Sequence, residues 1–117
     1  MTPFGRKMRV LRDRTGINLN DLSAALGVST PYLSALEHGR RGRPSRVRVH
    51  EICQFFNLGW DEADELQRLA RISHPRITVD TSGLSPEATE LANELASRIR
   101  KLSIVKVRAL LATLKDG

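Results

Sequence analysis

The sequence predicts an all-α protein, and three observations predict it. Apolar residues return every three or four positions from Phe4 to Leu114, Ser, Thr or Asn stands ahead of most such runs as an N-cap, and Gly or Pro follows several of them. The chain has 117 residues, of which 40% are hydrophobic, so it can bury a real core. Its length is that of one ordinary domain.

Each element follows from the same chemistry. Thr2 and Pro3 supply a cap and a first-turn proline for a helix over about residues 3–15, in which Phe4, Met8 and Leu11 fall at i, i+4 and i+7. Arg6, Lys7, Arg9, Arg12 and Arg14 lie on its outer face. Asn18 caps a second helix, where Leu22, Ala25 and Leu26 share one face and Ser23 keeps a small side chain where another helix must cross closely. Gly27 stops it, because glycine enters the left-handed conformation past a helix end without steric penalty, and Val28 follows as an apolar plug. Ser29 caps a third helix that turns Leu33 and Leu36 inward and ends at Gly39. Pro31 would cost roughly 3 kcal/mol inside a helix. It falls in the first turn instead, where its missing N–H has no intrahelical partner.

Ser45 opens a fourth helix with Val49, Ile52, Cys53 and Phe56 inward, ending near Asn57 and Gly59. A fifth begins at Trp60 or Asp61, places Asp61, Glu62, Asp64 and Glu65 where the helix dipole favours them, and stops before Pro75. Residues 74–85, HPRITVDTSGLS, carry the β-prone run Ile77, Thr78, Val79 and read as a linker or a short strand. Ser85 and Pro86 restart a helix with the stripe Ala88, Leu91, Leu95, Ile99 and Leu102, and Ser103 caps another with Ile104, Val107, Leu110, Leu111 and Leu114. The expected organisation is a helical domain over 1–73, a linker over 74–85 and a two-helix extension over 86–117. Two helices with two apolar stripes cannot close a core alone, so the extension must pack on the first domain or on a second chain. Pairing of two chains through Leu91, Leu95, Ile99, Leu102, Val107, Leu111 and Leu114 is the expectation.

Leu19 to Gly39, LNDLSAALGVSTPYLSALEHG, has the layout of a helix-turn-helix, because a small residue, a glycine, an apolar plug and an N-cap stand in register between two short helices. Leucine spacing alone would describe any helical core. Nineteen Lys and Arg against thirteen Asp and Glu give a formal charge of +6, with a pI near 10.4, which favours a polyanionic partner.

LSAALGVS at 22–29, YLSALEHG at 32–39, the Pro44–Ser45 pair and FFNLGWDEA at 55–63 occur in order, and over about residues 3–72 the chain resembles the lambda-repressor-like family that includes Cro and the xenobiotic-response-element regulators. The resemblance implies a five-helix domain whose helix over 30–38 lies in the major groove of operator DNA. It also implies a dimeric repressor on a palindromic site. Members of that family often place glutamine at the start of both helices of the motif, where this chain has Leu19, and Thr30 with Pro31. Thr30, Tyr32 and Ser34 remain as polar readers, and Pro31 and Ala35 as contacts to thymine methyls. Asn18, Ser29 and His38 complete the candidate DNA-facing set. The loop between Gly39 and Pro44 is unusually basic, for Arg40, Arg41, Arg43, Arg46 and Arg48 put five guanidiniums into nine residues. The first four are expected to meet phosphates or a narrow minor groove.

Enzymatic chemistry finds no motif. His38, His50 and His74 share no metal-ligand spacing with Cys53, and no Gly-rich phosphate loop follows a strand, so neither catalysis nor a cofactor is expected. Glu37 is expected to brace the helix-turn-helix through a basic residue of the first helix. Cys53, the one cysteine, reads as core. No apolar run approaches the roughly 18 residues of a membrane span and MTPFGRKM lacks a signal-peptide core, so a cytoplasmic protein is expected. The alternative expectation is an antitoxin whose C-terminal helices bind a small toxic protein while its N-terminal domain binds its own promoter.

Overall fold

The computed structural model describes residues 1–117 and contains helices α1 (Pro3–Thr15), α2 (Leu19–Leu26), α3 (Thr30–Glu37), α4 (Arg46–Phe55), α5 (Trp60–Arg71), α6 (Pro86–Arg98) and α7 (Ile104–Asp116). A single 3₁₀ turn, Ile99–Lys101, follows α6, and there is no strand. The chain divides into two units, Met1–Ile77 and Thr78–Gly117.

Caps set the boundaries. The side chains of Thr2, Asn18, Ser29, Ser45, Ser85 and Ser103 each accept a hydrogen bond from the backbone N–H three residues on, at 2.7 to 3.2 Å. Each such cap stabilises its helix by ~1 kcal/mol. Gly27 sits at φ 69° past α2, in the left-handed region that its lack of a Cβ permits.

The first unit closes one core. Phe4, Met8 and Leu11 of α1, Leu22 of α2, Leu33 and Leu36 of α3, Val49, Ile52 and Cys53 of α4, and Leu66 and Ala70 of α5 are all buried together. Phe55 and Phe56 pack edge to face at its margin, ring centres 5.0 Å apart. Ala25, expected on the inner face of α2, is exposed. Leu19 and Ser23 centre the buried stripe on the other side of Leu22, which leaves Ala25 on the far flank.

Two contacts fix α1 against the rest. Thr2 N–H donates to the Glu37 carbonyl at 3.2 Å, and Gly5 lies so close to the end of α3 that a Cβ there would stand 2.0 Å from the Glu37 carbonyl oxygen. At the opposite end of the unit, the buried Ser73 hydroxyl accepts from Phe4 N–H at 2.9 Å and donates to the Leu69 carbonyl. Thus the residue just past α5 is tied to the first turn of α1.

Linker residues Ile77 to Val79 form no strand, since no neighbouring backbone offers a ladder to pair with, and Ile77 and Val79 are exposed. The chain turns instead at Asp80, whose carboxylate accepts from Ser82 N–H at 2.9 Å, and at Gly83, φ 78°. The stripe of α6 is also shorter than its sequence pattern. Ile99 falls in the 3₁₀ turn and Leu102 is extended at φ −73°, ψ 138°, because Ser103 must approach α7 in extended backbone to cap it. In the second unit no residue is buried, and α6 and α7 make at most a marginal approach to one another.

Candidate nucleic-acid interface

Helices α2 and α3 meet through a hydroxyl network. The Thr30 hydroxyl donates to Asn20 Oδ1 at 2.9 Å and lies 3.0 Å from the buried Ser23 hydroxyl, which bonds the Asn20 carbonyl at 2.9 Å. Ser23 therefore does permit the close crossing expected of it. Val28 N–H returns to the Ser23 carbonyl at 3.0 Å, closing the corner. Thr30, read from sequence as a DNA-facing hydroxyl, is thus also the pin of the turn, and Asn20 is a partner that sequence reasoning missed. A spacing of ten residues across a turn carries no periodic signal.

The second brace is ionic. Arg12 donates from Nε to Glu37 Oε2 at 3.0 Å and from Nη2 to Oε1 at 3.2 Å, a two-pronged pair between α1 and α3. Glu37 is 1% exposed and Arg12 13%, and Arg9 adds a longer contact at 3.9 Å. Arg12 is the basic residue through which Glu37 braces α3. A buried carboxylate without such a partner would be strongly unfavourable, so the pair fixes the orientation of α3 more than it adds net stability.

With Leu33, Leu36 and Glu37 buried, the remaining side chains of α3 face outward to different degrees. Pro31 is exposed, and Tyr32, Ser34 and Ala35 are half-buried. His38 caps the end of the helix, exposed, with Nδ1 2.8 Å from the Ser34 carbonyl. Since a carbonyl only accepts, Nδ1 carries the proton and Nε2 is left facing outward. Asn18 and Ser29 spend one side-chain oxygen each on their caps, as described above, and are exposed at the N-termini of α2 and α3.

The loop after α3 is held by backbone turns at Gly39, φ 78°, and Gly42, φ 81°, and by Arg40 N–H donating to the Ala35 carbonyl at 2.8 Å. Arg40, Arg41, Arg43 and Arg46 are exposed, and no carboxylate forms an ion pair with any of them. Elsewhere in the unit, Arg14 and Lys7 clamp Glu62, and Arg68 pairs with Glu65. Hydrogen bonds from Arg14 and then Lys7 hold the Glu62 carboxyl below its ordinary range. Acidic residues thus pair part of the basic charge on α1 and α5, whereas none pairs with Arg40, Arg41, Arg43 or Arg46 after α3. Arg48 differs from its neighbours, being paired with Glu51 at 3.3 Å.

Burial pushes the Cys53 thiol up, which keeps it protonated and unlike a nucleophile. Nowhere do three or more His, Cys, Asp or Glu side chains gather as metal ligands would. No helix is long and apolar enough to cross a membrane.

Residues 3–66, more than half of the chain, match the family described as helix-turn-helix domain. Two proteins of Bacillus subtilis (strain 168) are each 28% identical over 61 residues, 52% of this chain: the uncharacterized HTH-type transcriptional regulator RghRB and the HTH-type transcriptional repressor RghR. The matched segment spans 44% of the first and 45% of the second, less than half of either relative. Among solved structures, the SinR protein/SinI protein complex is similar at a TM-score of 0.45 and 19% identity, over 96% of this chain and 94% of that one.

Proposed function

The chain belongs to the helix-turn-helix domain family, and from that premise we propose that it is a cytoplasmic, sequence-specific regulator of transcription that binds double-stranded DNA as a dimer and acts as a repressor. One observation carries the reading: α3 is locked in place by Glu37 and Arg12, and the loop leaving its C-terminus bears three exposed arginines, with Arg46 at the start of α4 a fourth, none of them paired with a carboxylate. Helix α3 enters the major groove, with Tyr32, Ser34 and His38 as polar readers and Pro31 and Ala35 against thymine methyls. Asn18, Ser29 and Thr30 line the helix N-termini that approach the backbone phosphates. The name of the relative RghR, a repressor, supports the negative sign of regulation. The uncovered stripes of α6 and α7 support pairing with a second copy, which would set two recognition helices one DNA turn apart on a palindromic operator.

The arginine loop gives the direct test. Replacing Arg40, Arg41 and Arg43 together with alanine should weaken binding to operator and to random duplex alike, and should flatten the salt dependence by roughly one unit of log–log slope per lost phosphate contact. An unchanged slope in a salt titration would reject phosphate contacts by this loop. The operator itself is found by footprinting the chain on the DNA upstream of its own coding sequence. On that site Ser34→Ala should cost on the order of 1 kcal/mol while binding to random DNA stays nearly intact. Equal losses on both would remove Ser34 from base readout.

A further inference from the structure

We propose that Tyr32 is a positioning residue, whose ring holds the guanidiniums of Arg41 and Arg48 between α3 and α4 and so presents Arg41 to a DNA phosphate. The inference rests on the DNA-binding reading above. The guanidinium carbons of Arg41 and Arg48 each lie 5.8 Å from the centre of the Tyr32 ring, within the distance at which the ring quadrupole attracts a cation. Tyr32 is half-buried in the first turn of α3, its N–H bonded to the Ser29 cap at 3.1 Å, so the platform itself is fixed.

The two cations are not equivalent. Arg48 belongs to α4 and is already paired with Glu51, so it serves as the second wall of the arrangement. Arg41 stands in the loop between Gly39 and Gly42, exposed and without a carboxylate partner. Two guanidiniums gathered on one ring repel each other, and an arriving anion relieves that repulsion. Without the ring, Arg41 would hang from a loop flanked by two glycines, and its ordering would have to be met at the moment of binding. Tyr32 thus acts through Arg41 and lowers the entropic cost of one phosphate contact.

The experiment is a salt titration of the full chain on a random-sequence DNA duplex, followed by fluorescence anisotropy. Tyr32→Met, which keeps a long side chain and costs no helix propensity but removes the ring, should weaken binding about tenfold at low salt and reduce the log–log slope by about one unit. Tyr32→Phe should keep both values of the parent chain on this random duplex, where base readout by the hydroxyl plays no part, because the ring and not the hydroxyl meets the cations. Arg41→Ala should reproduce Tyr32→Met, and the double variant should bind no more weakly than either single one, since both remove the same contact. Tyr32→Leu, read by the same slope, replaces Tyr32→Met if the latter lowers the melting temperature into the assay range. An unchanged slope in the ring-less variants overturns the proposal, as does a Tyr32→Phe variant that fails like Tyr32→Met, or losses that add in the double variant. These failures are distinct from failure of the DNA-binding reading, in which the parent chain itself shows no salt-dependent binding and both fall together.

Discussion

Gly5→Ala is expected to destabilise the Met1–Ile77 unit by ~3 kcal/mol, although the same change in an exposed helix interior would stabilise it by about 1 kcal/mol. The sign is reversed by one contact. An alanine Cβ at position 5 would stand 2.0 Å from the Glu37 carbonyl oxygen, 2.7 Å from its carbonyl carbon and 2.8 Å from its Cα, all backbone atoms that no rotamer change can move. Relief requires α1 to withdraw from the end of α3. That withdrawal would stretch the Thr2 to Glu37 backbone bond of 3.2 Å and the Arg12 to Glu37 pair, so the strain reaches the brace that orients α3. Thermal denaturation followed by circular dichroism measures the effect, and for a unit of this size a loss of ~3 kcal/mol lowers the midpoint by roughly 10–20 °C. A midpoint equal to or above that of the parent chain would show that α1 and α3 can separate freely, and the close approach would then have no energetic weight.

Gly5 also marks the limit of what the sequence discloses. Helix boundaries were legible because capping is local: Thr2, Asn18, Ser29, Ser45, Ser85 and Ser103 are each read from a few neighbouring residues, and each caps in the structure. Core leucines were legible because periodicity reports which side of a helix is apolar. Ala25 failed because a small apolar residue scores as inward from spacing, while the stripe of α2 is centred by Leu19 and Ser23. Residues 74–85, which sequence left open as linker or short strand, are linker, since β-propensity at Ile77 to Val79 says nothing of whether a partner strand exists. For the candidate interface, the basic run and the turn of the motif were plain in sequence. The contacts joining residues across elements were not: Thr30 to Asn20, the two arginines on Tyr32, and the choice of Arg12 among five basic residues on α1 as the main partner of Glu37. Such pairs depend on crossing angles and on which rotamers remain free, quantities that no short window encodes.

Severing or charging the C-terminal helices is expected to have the largest effect on binding. A chain ending at Ile77 should stay folded with an almost unchanged melting midpoint, because the residues of the core all lie within the first unit, yet it should be monomeric and bind its operator at least ~10²-fold more weakly. The expectation follows from what Thr78–Gly117 lacks. Helices α6 and α7, of 13 residues each, are near the length at which isolated helices are marginal in water, and this unit has no buried residue of its own. Leu91 is 60% exposed and Leu114 67%, with Leu95, Ile99 and Leu111 also open on the same helices and turn. Apolar surface of that extent is stable only when covered, and two copies offer each other the same stripes, as a two-fold interface requires. In the full-length chain, Leu95→Glu or Leu111→Glu should imitate the truncation, since a carboxylate brought into an apolar interface without a partner opposes its formation. Light scattering measures the oligomer and anisotropy on the footprinted operator measures affinity, while random-duplex binding per unit serves as the control that should change far less. If the parent and truncated chains are both monomers, or both dimers of equal affinity, the stripes serve another partner, and a small protein bound by α6 and α7 becomes the reading to pursue.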